Sequence, residues 1–83
     1  MTAKPIWREN GVPIKWKCNG FIIEKYYIEN LDMYTYGVGA KELEDVCFNY
    51  HTSLNKAIAW CSMHDVNKVV TSIASTWKGS KTP

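Results

Sequence analysis

The chain has 83 residues, enough for one domain with a single core and too few for two. Its 46% hydrophobic and 22% charged residues are ordinary for a folded protein and exclude the composition of a disordered chain. The net charge of +2 comes from basic residues spread along the sequence, which disfavours a dedicated DNA-binding protein, because such proteins concentrate their positive charge.

The predicted elements begin after residues 1–13, which contain two prolines and a glycine, lack clear periodicity and are expected to form an N-terminal arm. Apolar and basic residues alternate over residues 14–18, which predicts a strand with one buried face. Asn19-Gly20 then predicts a type I′ hairpin turn, because both central positions of that turn require positive φ. A second strand over residues 21–29 is apolar on both sides and should be central in the sheet.

A turn over residues 30–32 and a third strand over residues 33–38 are expected next. Residues 39–45 form a charged connection, and alternation over residues 46–51 predicts a further strand. Together these patterns predict a small antiparallel sheet of three to four strands over residues 14–51.

Two apolar stripes at helical spacing follow over residues 52–77, the first behind an N-cap at Thr52 or Ser53. On one continuous helix the two stripes would point roughly 100° apart. We therefore expect a break near His64-Asp65, with Asp65 capping the second helix, so that both stripes reach the sheet.

Residues 78–83 should form a polar tail, and residues 1–83 a single α+β domain whose sheet packs against one or two C-terminal helices. No apolar run approaches the ~20 residues of a membrane span, and no signal-peptide pattern opens the chain. The odd number of cysteines, without a CxxC pair, is atypical of a secreted disulfide-bonded domain. We expect a soluble cytoplasmic protein without membrane association.

The sequence contains four residues of the types that bind zinc: Cys47, His51, Cys61 and His64. Residues 47 and 51 of one strand would lie about 13 Å apart, too far to share an ion, so no metal site is predicted. Cys61 and His64 are neighbours on the expected helix, but no carboxylate is placed to orient the histidine. Phosphate-binding glycine patterns are absent as well. We predict neither a catalytic site nor a cofactor.

The aromatic and basic residues of the predicted sheet carry the strongest functional signal. Tyrosine beside lysine is typical of protein-binding surfaces, because tyrosine buries a large area at low entropy cost. We expect about half of these rings in the core, and the partner-binding candidates are Trp16, Lys25, Tyr26, Tyr34 and Tyr36.

Two alternatives remain open at the level of the sequence. The acidic residues Glu42, Glu44 and Asp45 could instead engage a basic groove of a nucleic-acid-handling partner. In a different class of function, the protein would be a small nucleic-acid-binding regulator. Its phosphate contacts and stacking rings would then be Lys15, Lys17 and Lys25, with Trp16 or Tyr26.

Residues 48–61, FNYHTSLNKAIAWC, resemble the strand-turn-helix segment of small phage-encoded accessory proteins. In size and α+β layout the whole chain also looks like phage inhibitors of bacterial defence, including anti-CRISPR proteins. The resemblance implies a non-enzymatic inhibitor that binds a host protein or complex in the host cytoplasm. It assigns no binding residue. A homodimer that pairs through an exposed edge strand stays open as an alternative, although no self-complementary pattern predicts one.

Overall fold

The protein folds into one antiparallel sheet followed by two helices, as a computed structural model shows for residues 2–43 and 46–81, with side chains described through residue 75. Five strands lie side by side in the order of the sequence. They are β1 Lys4–Glu9, β2 Val12–Cys18, β3 Phe21–Ile28, β4 Met33–Gly39 and β5 Asn49–His51. The helices are α1 Leu54–Met63 and α2 Val66–Lys81, and a 3-10 turn over Glu29–Leu31 joins β3 to β4. This arrangement confirms the predicted α+β class and the central position of β3.

The expected N-terminal arm is wrong, because most of residues 1–13 belong to a hairpin formed by β1 and the start of β2. Its turn is Asn10-Gly11, with φ of 52° and 80°, close to the 52° and 83° of Asn19-Gly20. The two turns share the backbone geometry that favours Asn-Gly in tight hairpins. The sheet consequently has one strand more than the largest number predicted.

The last strand is shorter than the predicted 46–51. The backbone N–H of Val46 donates to the carbonyl of Leu43 at 3.0 Å, which holds the start of this segment in a turn. Regular pairing with β4 therefore begins only at Asn49.

The predicted break between the helices is confirmed, since α1 ends at Met63 and α2 begins at Val66. Ser53 caps α1 by accepting a hydrogen bond from the backbone N–H of Lys56 at 3.2 Å. Asp65 caps α2 in the same way, through the N–H groups of the second and third helical residues at 2.9 and 3.3 Å. The backbone of α2 continues to residue 81, into the expected polar tail; no proline interrupts the sequence there.

The core lies between the sheet and the two helices. Alternating residues of β2, β3 and β4 point to this side and are buried: Trp16, Cys18, Phe21, Ile23 and Val38. From α1, Ala57 and Cys61 meet them. The ring of Phe21 makes edge contacts with the rings of Phe48 and Trp60, at centroid distances of 6.2 and 5.1 Å. One face of the sheet is thus packed and the opposite face is left without a second layer.

The two ends of the sheet differ as well. The Asn19-Gly20 turn lies at what we call the covered end, where its side chains reach the junction of the helices. Because successive strands are antiparallel, the Asn10-Gly11 turn and the Glu29–Leu31 turn lie together at the opposite, free end. On the helix side of the free end, Tyr27 and Tyr34 remain half exposed, so the helices do not extend over it.

No helix in the described part of the chain is both long and apolar enough to cross a membrane.

Candidate interaction surfaces

The face of the sheet opposite the helices, which we call the open face, carries one row of residues across all five strands. Cross-strand partners share a face of a sheet, so the register defines the row. It runs Trp7, Lys15, Glu24, Gly37, Tyr50. An exposed aromatic ring therefore stands at each edge of the open face, with a charged pair and a glycine between them.

Two glycines of β4 shape a trough on the open face. A Cβ on Gly37 would lie 2.8 Å from Cys47 Sγ and 3.0 Å from a ring carbon of Tyr26. A Cβ on Gly39 would lie 2.9 Å from the carbonyl oxygen of Val46. These neighbouring atoms lie over the backbone of β4. A cavity of about 750 Å³ remains beside them. Its polar and aromatic lining comes from Lys15, Glu24, Tyr26, Lys41, Cys47 and Tyr50.

Hydrogen bonds fix the tyrosines of the trough. Tyr26 donates its O–H to Glu24 Oε1 at 3.1 Å, and burial together with this bond raises the pKa of Tyr26 to about 12. A hydrogen bond with Cys47 raises the pKa of Tyr50. The two rings meet edge to face with centroids 6.5 Å apart. Both phenols are therefore neutral at physiological pH, and the Tyr26 ring is held between Glu24 and Tyr50.

Positive charge collects beside the trough, on β1 and β2. Lys4 and Lys17 are direct cross-strand partners, and both are exposed. Lys15 lies on the same face, with Nζ 3.8 Å from Glu24 Oε1. The open face thus combines a basic strip of Lys4, Lys15 and Lys17 with an aromatic trough.

A second candidate surface is the β3–β4 tip at the free end, formed by Tyr27, Leu31, Met33 and Tyr34. All four side chains are classed as exposed, and Leu31 is 64% exposed. The rings of Tyr27 and Tyr34 pack with centroids 5.2 Å apart, and Lys25 Nζ lies 4.2 Å from the centroid of the Tyr34 ring. Tyr27 and Tyr34 lie on the helix side of the tip and Met33 on the open-face side, and none of the four side chains belongs to the core.

Internal bonds keep the tip in shape. Tyr27 donates its O–H to the Asp32 carboxylate, and this bond raises the pKa of Tyr27. Asp32 adopts the left-handed conformation, with φ of 46°, and its N–H closes the 3-10 turn by donating to the carbonyl of Glu29 at 3.2 Å. The tip therefore presents its side chains from a defined turn.

The five predicted contact residues do not share one surface. Trp16 is only 7% exposed and belongs to the core, so its assignment as a contact residue is wrong. Tyr36 is half-buried against it, with ring centroids 6.0 Å apart. Lys25 and Tyr34 lie on the helix side of the sheet towards the free end, whereas Tyr26 lies on the open face. The strict alternation of a strand separates Tyr26 from its neighbours.

The alternative sets divide in the same way. Lys15 and Lys17 lie on the open face and Lys25 on the opposite one, so the three lysines cannot contact one nucleic acid strand as predicted. In the acidic group, Glu42 is exposed, while Glu44 and Asp45 lie outside the described residues.

Cys61 of α1 and His64, the residue that follows the helix, have different surroundings. Cys61 is fully buried, and burial together with the neighbouring Cys18 raises the pKa of its thiol to about 12. His64 stacks on Trp60 with ring centroids 4.0 Å apart, and its Nδ1 lies 2.8 Å from the Trp60 carbonyl oxygen. Among the residues whose placement is described, no three His, Cys, Asp or Glu side chains converge as metal ligands.

Several residues of both surfaces were missed from the sequence: Lys4, Trp7, Tyr27, Leu31, Met33 and Tyr50. Recognition of Asn10-Gly11 as a second hairpin turn would have placed Lys4 and Trp7 in a strand opposite the known lysines. Tyr27 shares a side of its strand with Phe21 and Ile23, and the sequence does not show where the helices end over the sheet.

Comparison of the chain with protein-family models, with curated proteins and with solved structures finds no match.

Proposed function

We propose that the protein is a non-enzymatic protein-binding module and that the β3–β4 tip is its contact surface. The observation that carries the proposal is the pair of exposed rings of Tyr27 and Tyr34, which pack together on the helix side of the free end, with Leu31 exposed in the turn between their strands. Burial of such exposed apolar surface against a partner lowers the free energy, because it removes the surface from water. Tyrosine and leucine side chains that are exposed together fit a shallow apolar pocket of a partner protein.

The rigidity of the tip supports the same proposal. The Tyr27–Asp32 hydrogen bond and the contact between the two tyrosine rings hold the side chains before binding. A surface that is already ordered loses less conformational entropy when it binds. Lys25 beside Tyr34 adds one positive charge at the border of the apolar group, which favours a partner with an acidic rim.

We also propose that the partner is a host protein or complex and that binding inhibits it. The support for this part is the resemblance of residues 48–61 to phage-encoded accessory proteins, together with the small size of the chain. An inhibitor of this kind needs only one projecting surface that occupies a functional site of its target.

The test is affinity capture from the lysate of the source organism's host, with three immobilised forms of the protein. Wild type is compared with the double variant Leu31→Ala/Tyr34→Ala and with Tyr50→Ala, which removes another exposed tyrosine from the other face. Captured material is treated with nuclease and washed at raised salt before mass spectrometry. We expect one stoichiometric protein or complex with wild type and Tyr50→Ala, and its loss with the tip variant.

The purified partner then gives a quantitative measurement. Truncation of a central contact residue typically costs at least about 2 kcal/mol, so Tyr34→Ala should weaken binding about 30-fold. The far-ultraviolet circular dichroism of each variant must match wild type, which is expected because both tip side chains are exposed. Equal capture by the tip variant and wild type, or recovery of nuclease-sensitive material only, would overturn the proposal.

A further inference from the structure

We propose that the open face is a binding site for single-stranded nucleic acid, separate from the tip and independent of its function. The basic strip would contact phosphates, and the rings of Trp7 and Tyr50, with Tyr26 between them, would stack on bases. The proposal rests on the charge arrangement of the face, on the placement of its exposed rings and on the shape of the trough.

Two lysines of the basic strip face each other across neighbouring strands. Like charges directly opposite each other on neighbouring strands destabilise a sheet. Lys4 and Lys17 are placed in this way, and among the described residues neither has a carboxylate at ion-pair distance. The ion pair of this face joins Lys15 to Glu24 instead. A polyanion lying along β1 and β2 would remove the repulsion that the folded protein otherwise retains.

The positive charges of β2 are spaced along the strand. Lys15 and Lys17 are two residues apart on β2 and point to the same face. Their Cα atoms are therefore about 6.6 Å apart. A row of separated positive charges matches a chain of phosphates better than it matches a single anion. This arrangement favours a polymer over a mononucleotide.

The exposed rings of the open face stand at its two edges. Trp7 and Tyr50 are 61% and 63% exposed and stand at opposite edges of the row that contains Lys15. Unpaired bases stack on such rings, and their phosphates remain within reach of lysines on the adjacent strands. A duplex hides the faces of its bases, so these rings favour a single strand.

The trough provides room for a flat ligand. Tyr26, Cys47 and Val46 already occupy the space over Gly37 and Gly39, and the room for a ligand is the cavity beside them, which measures about 750 Å³. This volume lies within the range of known ligand sites. Glu24 is the acidic member of the described lining, and its carboxylate is already engaged by Tyr26 and Lys15.

The experiment measures fluorescence anisotropy of labelled oligonucleotides of about 15 nucleotides with the full chain. The probes are a single-stranded DNA, an RNA of the same sequence and the corresponding DNA duplex. The key variant is Lys4→Gln/Lys17→Gln. Its control is Lys25→Gln/Lys68→Gln, which removes the same charge from the other side of the sheet and from α2.

We expect saturable binding of a single strand by wild type and by the control. The logarithm of the affinity should fall with the logarithm of salt concentration with a slope of about −2 for three phosphate contacts. In Lys4→Gln/Lys17→Gln the slope should fall to about −0.7, because one contact remains. Trp7→Ala and Tyr50→Ala should each weaken binding on the order of 10- to 100-fold.

Two further readouts keep the test decisive. Lys17→Gln should not lower the urea midpoint of unfolding, because it removes a repulsion, so its loss of binding cannot be ascribed to misfolding. Tyr34→Ala should bind the single strand like wild type, which separates this site from the tip. The proposal is overturned by absent binding of both single strands, by equal affinity for the duplex, or by equal losses in the lysine variant and its control.

Discussion

The two Asn-Gly turns have nearly the same backbone and different surroundings. At the free end, a Cβ on Gly11 would meet no atom within 4 Å. At the covered end, a Cβ on Gly20 would lie 2.7 Å from Cγ1 of Val66, at the start of α2. The local sequence thus specifies a hairpin in both places, and only the tertiary structure distinguishes a turn in solvent from one packed against a helix.

The side chains of the two asparagines differ in the same sense. Asn19 Nδ2 donates to the carbonyl oxygens of Cys61 at 2.7 Å and His64 at 3.1 Å. These carbonyls lie at the end of α1, where the last C=O groups lack i+4 partners, and the Cys61 carbonyl also accepts from the backbone N–H of His64 at 3.4 Å. A hairpin turn therefore caps a helix 42 residues later in the sequence. The covered end is fixed by such contacts, and the free end remains available for a partner.

The largest expected effect comes from alanine at the two turn glycines. Both substitutions place a side chain at positive φ, which costs about 1 to 2 kcal/mol. Gly20→Ala must in addition displace Val66, whose branched side chain is stiff, and overpacking of this kind costs about 1 to 3 kcal/mol more. We expect Gly20→Ala to lower the free energy of unfolding clearly more than Gly11→Ala.

Urea unfolding followed by tryptophan fluorescence measures this difference as a shift of the midpoint at unchanged slope. Equal losses for the two variants would show that the covered end is no more tightly packed than the free end. In that case the close approach of α2 to the Asn19-Gly20 turn would not contribute to stability.

Much of the fold could be predicted, because alternation and turn residues act locally. The strand at Ile14–Cys18, the central strand and the helix break at His64-Asp65 all follow from patterns within a few residues. The expected arm is wrong because residues 1–13 show no clear periodicity, although Asn10-Gly11 carries the same turn signal as Asn19-Gly20. Bulges in β1 between Pro5 and Arg8 further obscure its period.

The surfaces could be predicted less well than the fold, because they depend on how far the helices cover the sheet. Alternation assigns Tyr26 and Tyr27 to opposite faces but does not show which face is packed at that point along β3. Trp16 and Trp7 have similar local sequences, each beside a basic residue, yet one is in the core and the other exposed. The register of β1 with β2 places Trp7 beside Lys15 on the open face, whereas Trp16 points to the side that the helices cover.

A smaller effect is expected from removal of the asparagine side chains. Glycine keeps the positive φ at either position, so Asn19→Gly tests the amide alone and Asn10→Gly is its matched control. Loss of two hydrogen bonds to helix carbonyls should cost about 1 to 2 kcal/mol in Asn19→Gly. Asn10→Gly should change the free energy of unfolding far less, by roughly a few tenths of a kcal/mol. A loss in Asn10→Gly as large as in Asn19→Gly would exclude the capping role.

The smallest effect concerns pH and is confined to the packed side of the sheet. His51 of β5 lies against Trp60 of α1, with ring centroids 6.4 Å apart, and its Nε2 is buried without a hydrogen-bond partner among the described residues. Burial, with a contribution from the charge of Lys56, lowers the pKa of His51 from its ordinary value of 6.5. Protonation would place an N–H and a positive charge where no acceptor is in reach.

The direction of the effect follows from the lowered pKa. At pH values between the pKa of the folded form and 6.5, the unfolded chain binds more protons at this site than the folded protein. Stability should therefore fall as the pH is lowered through 6.5, and it should be retained above this value. In His51→Gln this part of the pH dependence should disappear, because glutamine does not titrate. Urea midpoints measured between pH 5 and 8 check this. Unchanged pH dependence in the variant would show that the imidazole is as well solvated in the folded protein as in the unfolded chain.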